Sequence, residues 1–183
     1  MKIRVMATAL MLTFGLATAA VAQMDPMVGG APMYANKNII QNAVNSKDHT
    51  TLVAAVKAAG LVDTLEGPGP FTVFAPTNEA FAALPPGTVD TLLKPENKPT
   101  LTKILTYHVV AGRYDMATLA QACRNTPGGR VSLTSVEGEP LIISDNGGTL
   151  MVTDSKGNTA SVTIPDVFQS NGVIMVVDKV LMP

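Results

Sequence analysis

The sequence predicts an α+β fold, with helices in the first two thirds of the chain and short strands in the last third. Apolar residues recur at helical spacing in residues 50–60, and Gly60 is a natural helix terminator. The later part instead holds short β-prone runs separated by glycine-containing turns. These runs are 131–136, 141–144, 149–153, 160–164 and 173–177. Helices followed by hairpins are typical of an α+β domain, and no internal repeat is present.

The first 22 residues have the pattern of a secretory signal peptide. Lys2 and Arg4 form a basic start, a mostly apolar stretch follows, and Ala20-Val21-Ala22 offers small residues for cleavage before Gln23. We therefore expect residues 1–22 to be removed on export, leaving no membrane span. The mature chain is then periplasmic or extracellular.

Residues 23–35 are rich in Met, Pro and Gly without periodicity, which predicts a flexible leader. Residues 36–183 are the right size for one domain with a sizeable core. Loss of Lys2 and Arg4 leaves 11 basic residues of the original 13 against 14 acidic ones, so the formal charge changes from −1 to −3. This balance argues against a nucleic-acid partner, and we expect a monomer.

Two local sequence signals predict where helices and a strand begin or end in the N-terminal half. Asn38 and Gln41 have the spacing of a capping arrangement at the start of a short helix. Residues 71–74 form a β-prone run that Pro76 should end, because proline cannot donate to a sheet ladder. Thr77 or Asn78 is then placed to cap the helix that follows.

This strand-and-cap segment, residues 71–81, resembles the first signature segment of the fasciclin domain. Residues 101–110 resemble the family's tyrosine-histidine segment, and residues 170–183 resemble its closing segment. The resemblance extends over residues 36–183. It implies a fasciclin-type fold, a β-sandwich-like wedge with several flanking N-terminal helices, and a role in adhesion and matrix contacts.

The pair Tyr107-His108 has two interpretations. In animal members of the resembled family, residues around this segment are linked to integrin binding, which implies a recognition surface. Alternatively, His108 is buried at a helix-strand junction with both ring nitrogens hydrogen-bonded, by nearby backbone or by the Thr77-Asn78 turn. The residues themselves favour the structural interpretation.

A second candidate lies just before the closing segment. The resemblance implies that Asp166-Val167 matches an Asp-Ile pair in an integrin-contact motif, with Val in place of Ile. The alternative is an exposed Asp at a strand end. Asn171-Gly172 is predicted to form a tight turn that needs positive φ.

The side chains available for catalysis are few. The chain has two histidines, His49 and His108, and a single cysteine, Cys123. This supply cannot build a histidine-rich zinc site, and one thiol cannot close an intrachain disulfide. Nucleophile-elbow and phosphate-loop motifs are also missing. We therefore expect a non-catalytic protein without metal or cofactor.

The leading hypothesis is an exported adhesion or binding module that contacts a cell-surface or matrix protein or polysaccharide. One alternative is a carrier of a small apolar ligand such as a carotenoid or lipid, since mean hydropathy is positive, at +0.26. A structural envelope protein is the other alternative.

Overall fold

The computed structural model describes residues 25–183. The predicted signal peptide at residues 1–22 lies outside the described residues, together with Gln23 and Met24. Within residues 25–183, no helix is both long enough and apolar enough to span a bilayer.

The N-terminal two thirds of the described chain are mainly helical. The α-helices are α1 (Ile39–Ala43), α2 (Thr50–Ala59), α3 (Val62–Glu66), α4 (Asn78–Ala82), α5 (Thr88–Leu92), α6 (Lys98–Tyr107) and α7 (Met116–Asn125). Two 3₁₀ turns, Lys47–His49 and Pro95–Asn97, directly precede α2 and α6.

The strands form a small hairpin and one large sheet. They are β1 (Met27–Val28), β2 (Ala31–Pro32), β3 (Phe71–Pro76), β4 (Val109–Ala111), β5 (Arg130–Thr134), β6 (Pro140–Asn146), β7 (Thr149–Thr153), β8 (Thr159–Gln169) and β9 (Gly172–Val177). The first two pair as a hairpin, and the others form a seven-stranded sheet in the order β4-β3-β9-β8-β7-β6-β5. Strands β3 and β9 are parallel, and the remaining pairs are antiparallel.

The two edges of the large sheet approach each other. Val110 forms an isolated bridge with Ser135, and the amide of Val136 donates to the carbonyl oxygen of Val109 at 2.7 Å. The sheet therefore nearly closes into a barrel-like wedge, which protects its edge strands from pairing with other chains. The α+β fold class predicted from the sequence is confirmed.

Strand β9 separates two apolar cores. Ile174 and Val176 face the core shared with α1, α2 and α6, whereas Val173, Met175 and Val177 face the core inside the curved sheet. All six residues of β9 are buried, as its continuous apolar sequence predicts. Helix α7 covers the second core through Leu119, Ala120 and Cys123.

The predicted helix ends at the start of the domain are confirmed. Asn38 accepts a hydrogen bond from the amide of Gln41 at 2.8 Å, and the Gln41 side chain accepts from the amide of Asn38 at 3.1 Å. Gly60 ends α2 in the left-handed conformation, with φ 72°. Both signals act over three or four residues, which is why they can be read from the sequence alone.

The structure differs from the flexible leader predicted at residues 23–35. From residue 25 onward this segment carries the β1–β2 hairpin, and Val28 and Met33 are buried against the helical core. Tight turning at Gly29-Gly30 allows the hairpin, with φ of 59° and 75°. Two-residue strands are too short to show periodicity, so the sequence pattern could not predict them.

Two elements near the C-terminus also depart from the sequence prediction. Strand β8 continues to Gln169, past the predicted end at residue 164, because a bulge between Ile164 and Val167 accommodates the extra residues. Helix α7 was not predicted. Its signals are an Asp115 N-cap and apolar residues at helical spacing.

Candidate partner-binding surface

The structure places Tyr107 inside the molecule. Its side chain is fully buried at the end of α6, and its hydroxyl donates to the carbonyl oxygen of Pro140 at 2.9 Å. The hydroxyl oxygen of Tyr107 also accepts from the amide of Ser155 at 2.9 Å. Tyr107 thus ties α6 to two segments of the sheet, and its side chain does not reach a partner. Recognition through an exposed Tyr107 is therefore incompatible with this structure.

His108 is likewise buried, with 2% of its surface exposed. The amide of Leu181 donates to Nε2 at 2.9 Å, so Nδ1 carries the proton and donates to the carbonyl oxygen of Ile104 at 2.8 Å. Burial lowers the pKa of His108 from 6.5 to about 4, against the smaller opposing effect of that carbonyl. His108 joins α6 to the C-terminal tail, and the Thr77-Asn78 turn supplies neither of its hydrogen bonds.

Thr77 and Asn78 cap two different helices. Thr77 caps its own helix, because its hydroxyl accepts from the amide of Ala80 at 3.3 Å. The Asn78 carbonyl oxygen accepts from the amide of Thr51 at 3.0 Å, and its amide group donates to the carbonyl oxygen of Lys47 at 2.7 Å. Asn78 therefore caps α2 from outside that helix.

Asn171 connects α1 and the end of α3 to β9. Its carbonyl oxygen accepts from the amide of Ile39 at 3.1 Å, and its amide group donates to the carbonyl oxygens of Leu65 and Gly67 at 2.7 and 2.9 Å. The predicted positive φ at Gly172 is wrong, because this residue has a φ that is not positive. Glycine is needed there since a Cβ would overlap the carbonyl oxygen of Phe71.

Asp166 lies in the bulge of β8, not at a strand end as predicted. It is half-buried and has φ 57°, which makes it the one non-glycine residue with positive φ among the described residues. Its carboxylate accepts from the amide of Met116 at 2.7 Å, at the first turn of α7. Val167, its neighbour, is fully buried in the helical core and cannot contact a partner.

An aromatic and charged surface surrounds Asp166. The guanidinium of Arg113 lies over the ring of Phe168, 4.8 Å from its centroid. Hydrogen bonds from Thr118 lower the pKa of Asp115, and Arg113 lowers it further, so this carboxylate is ionised at neutral pH. Arg113 is exposed, whereas Phe168, Tyr114 and Asp115 are partly exposed. We call Arg113, Tyr114, Asp115, Asp166 and Phe168 the Asp166 face.

Other reactive groups are placed where they are inert. Cys123 is 1% exposed, and its thiol donates to the carbonyl oxygen of Ile143 at 3.4 Å. Burial raises the pKa of this thiol, which disfavours the reactive thiolate. Residues 25–183 contain no group of three or more His, Cys, Asp or Glu side chains placed to hold a metal ion.

Comparison with known proteins places this architecture in a family. The model of the fasciclin domain matches residues 47–183. The chain belongs to the fasciclin family. Protein sll1483 of Synechocystis sp. is 44% identical over 174 residues, which cover 92% of this chain and 89% of that protein. Immunogenic protein MPB70 of Mycobacterium bovis is 40% identical over 77% of this chain and 66% of its own length.

A solved fasciclin structure shares the fold. A FAS1 domain pair from the insect cell adhesion molecule Fasciclin I aligns with a TM-score of 0.71 and 19% identity. The alignment covers 80% of this chain and 51% of that one, so this chain spans about half of the domain pair. Fasciclin domains thus occur in proteins of cell adhesion.

Proposed function

We propose that this fasciclin chain is an exported, non-catalytic adhesion module that binds a cell-surface or matrix protein through the Asp166 face. The observation that carries the proposal is the Arg113–Phe168 stack beside Asp166. Arginine and aromatic side chains contribute most of the binding energy in many protein interfaces. Family membership and the signal-like first 22 residues support export and adhesion.

The geometry of the face suits a preorganised contact. Asp166 is held by the α7 amide, and Arg113 is positioned by Phe168, so neither side chain must lose much freedom on binding. The face also presents both signs of charge next to a partly exposed ring. Such a surface matches a protein partner with complementary charges around an apolar contact.

The matched pair Arg113→Glu and Arg124→Glu tests the proposal. Arg124 is an arginine of α7 whose side chain is 64% exposed, and within residues 25–183 it forms an ion pair only with Asp145, outside the Asp166 face. The mature protein and both variants are crosslinked to intact cells of the source organism or to its matrix. Captured proteins are then quantified by mass spectrometry.

We expect Arg113→Glu to reduce capture of the partner at least tenfold, because it removes the stacked cation and adds a repelling charge. Arg124→Glu should keep capture within twofold, and both variants should melt within a few degrees of the parent. Equal capture by the two variants refutes the Asp166 face as the contact. Capture that is lost after glycan digestion and not after proteolysis assigns the partner to polysaccharide instead.

A further inference from the structure

The segment 112–116 joins β4 to α7 and carries Arg113, Tyr114 and Asp115 of the Asp166 face. Residues 112–115 belong to no helix or strand, so other contacts must set their conformation. Both ends of the segment are fixed. The amide of Gly112 donates to the carbonyl oxygen of Pro70 at 2.9 Å, and the amide of Met116 donates to Asp166 at 2.7 Å. The contacts between these ends determine where Arg113 points.

The hydroxyl of Thr72 supplies those contacts from inside the protein. Thr72 lies in β3 and is fully buried. Its hydroxyl donates to the carbonyl oxygen of Gly112 at 2.8 Å and accepts from the amide of Tyr114 at 2.9 Å. One side chain, about 40 residues away in the sequence, therefore holds the residues on either side of Arg113. The donor and the acceptor of the hydroxyl are both used, which gives the contact a direction.

The register of the sheet places Thr72 in line with Phe168. Phe168 is paired with Val173 of β9, and Val173 is paired with Thr72. Paired residues on adjacent strands point to the same face, and two strand spacings separate Thr72 from Phe168 by roughly 10 Å. The Arg113 side chain spans from the segment held by Thr72 to the ring of Phe168, 4.8 Å from the ring centroid.

Gly112 restricts the same segment in a second way. Its φ of 110° lies in a region that residues with a side chain rarely adopt. A Cβ at this position would also approach the Tyr114 ring to 2.9 Å. The ring of Tyr114 therefore packs directly against the backbone of Gly112, and the turn depends on glycine for both reasons.

We propose that Thr72 is a positioning residue for the Asp166 face, whose buried hydroxyl fixes segment 112–116 so that Arg113 lies over Phe168 and is presented to the partner. Thr72 is fully buried and does not touch the partner itself. The inference rests on the proposed function, because it concerns the same surface. Its physical basis is preorganisation, since an arginine ordered during folding loses less freedom on binding.

The pair Thr72→Val and Thr72→Ser separates positioning from stability. Valine keeps the shape and the strand preference of threonine but lacks the hydroxyl, whereas serine keeps the hydroxyl but loses a methyl group and strand preference. A purely structural role predicts that partner capture follows the free energy of unfolding. Positioning predicts that capture follows the hydroxyl. The stack is measured without a partner, as the upfield ¹H shift that the Phe168 ring induces in the Arg113 side chain.

We expect Thr72→Val to lose this shift and to reduce capture on intact cells about fivefold, because Arg113 must then be ordered on binding. Thr72→Ser should keep the shift and should keep capture within about twofold of the parent protein. Thr153→Val is the control for loss of a strand hydroxyl. Thr153 lies in β7, and its hydroxyl pairs with that of Thr159 at 3.0 Å, outside the Asp166 face. This control should change neither measurement.

A shift retained in Thr72→Val, or lost equally in Thr72→Ser, overturns the proposal. If Thr72→Val does not fold, Gly112→Ala replaces it, because the added Cβ disturbs the segment without changing β3. An unchanged Arg113 shift in Gly112→Ala also overturns the proposal. Loss of the shift in Thr72→Val with unchanged capture supports positioning by Thr72 and refutes only the Asp166 face as the contact.

Discussion

Asp166 combines an unfavourable backbone conformation with a favourable side-chain contact. A φ of 57° costs a non-glycine residue roughly 1–2 kcal/mol, and Asp tolerates it better than most residues. Its carboxylate offsets this cost by accepting the amide of Met116 at the positive end of α7. The conformation of this residue is therefore stabilised by a local electrostatic contact, whatever partner the surface binds.

Substitution of Asp166 tests this balance. Asp166→Ala should lower the free energy of unfolding by about 1–2 kcal/mol, because it removes the hydrogen bond to α7 and keeps the strained φ. Asp166→Asn should cost less than about 1 kcal/mol, since asparagine tolerates positive φ and still accepts a hydrogen bond. Urea unfolding of the three proteins measures the difference. Equal losses in the two variants would contradict this account.

At the scale of elements, three helices are capped by side chains that belong to other elements. Asn78 caps α2, Asp166 contacts the first turn of α7, and Asn171 bonds to the first residue of α1. Each cap satisfies an amide that an isolated helix end leaves unpaired. The helical layer is thus positioned by a few polar contacts in addition to apolar packing.

Asn78→Ala removes the cap of α2. We expect a loss of about 1–2 kcal/mol in unfolding free energy and faster hydrogen exchange at the Thr51 amide, which the Asn78 side chain protects. Asn45→Ala is the matched control, because Asn45 makes an exposed local bond to the carbonyl oxygen of Gln41. The control should change stability by less than about 0.5 kcal/mol. Unchanged exchange at Thr51 would argue against capping by Asn78.

At the scale of the whole molecule, two buried neutral histidines make the fold sensitive to acid. His108 has a folded pKa of about 4 against 6.5 for an unperturbed histidine, and the pKa of His49 is lowered in the same direction. The unfolded chain therefore binds more protons between pH 6.5 and 4. The contribution of these histidines to stability is fully present well above pH 6.5 and is lost as the pH falls toward 4.

Urea unfolding at pH 7, 5.5 and 4.5 measures this dependence. A shift from 6.5 to about 4 corresponds to a total loss of about 3 kcal/mol from His108. His108→Gln should be less stable at pH 7 but should show a flatter decline in acid, because one titrating group is gone. A decline as steep as that of the parent protein would show that other groups control acid unfolding.

Prediction from the sequence succeeded where the determining contacts are local or where a segment resembles a signature of the family. The Asn38–Gln41 capping box, the Gly60 terminator and the fully buried β9 all follow from patterns within a few residues. It failed for the β1–β2 hairpin and for the bulge in β8. There the outcome depends on packing against distant residues, which no local pattern records.

The same contrast between local patterns and long-range contacts applies to the candidate surface. Asp166 was selected from a resemblance, and its neighbours Arg113 and Phe168 were not predicted, because they meet only across the folded sheet. Exposure of Tyr107 and Val167 was also undetermined by residue type, and the structure buries both.

By itself, the sequence determined the family, the arrangement of helices followed by hairpins, and the helix caps formed within one turn, because these depend on neighbouring residues. Only the tertiary structure decided which polar side chains reach solvent and which atoms meet. Asp166 and the Met116 amide are separated by 50 residues, and His108 is 73 residues from the Leu181 amide that donates to its Nε2. Burial and long-range contacts are properties of the packed chain, which is why they appear only in the fold.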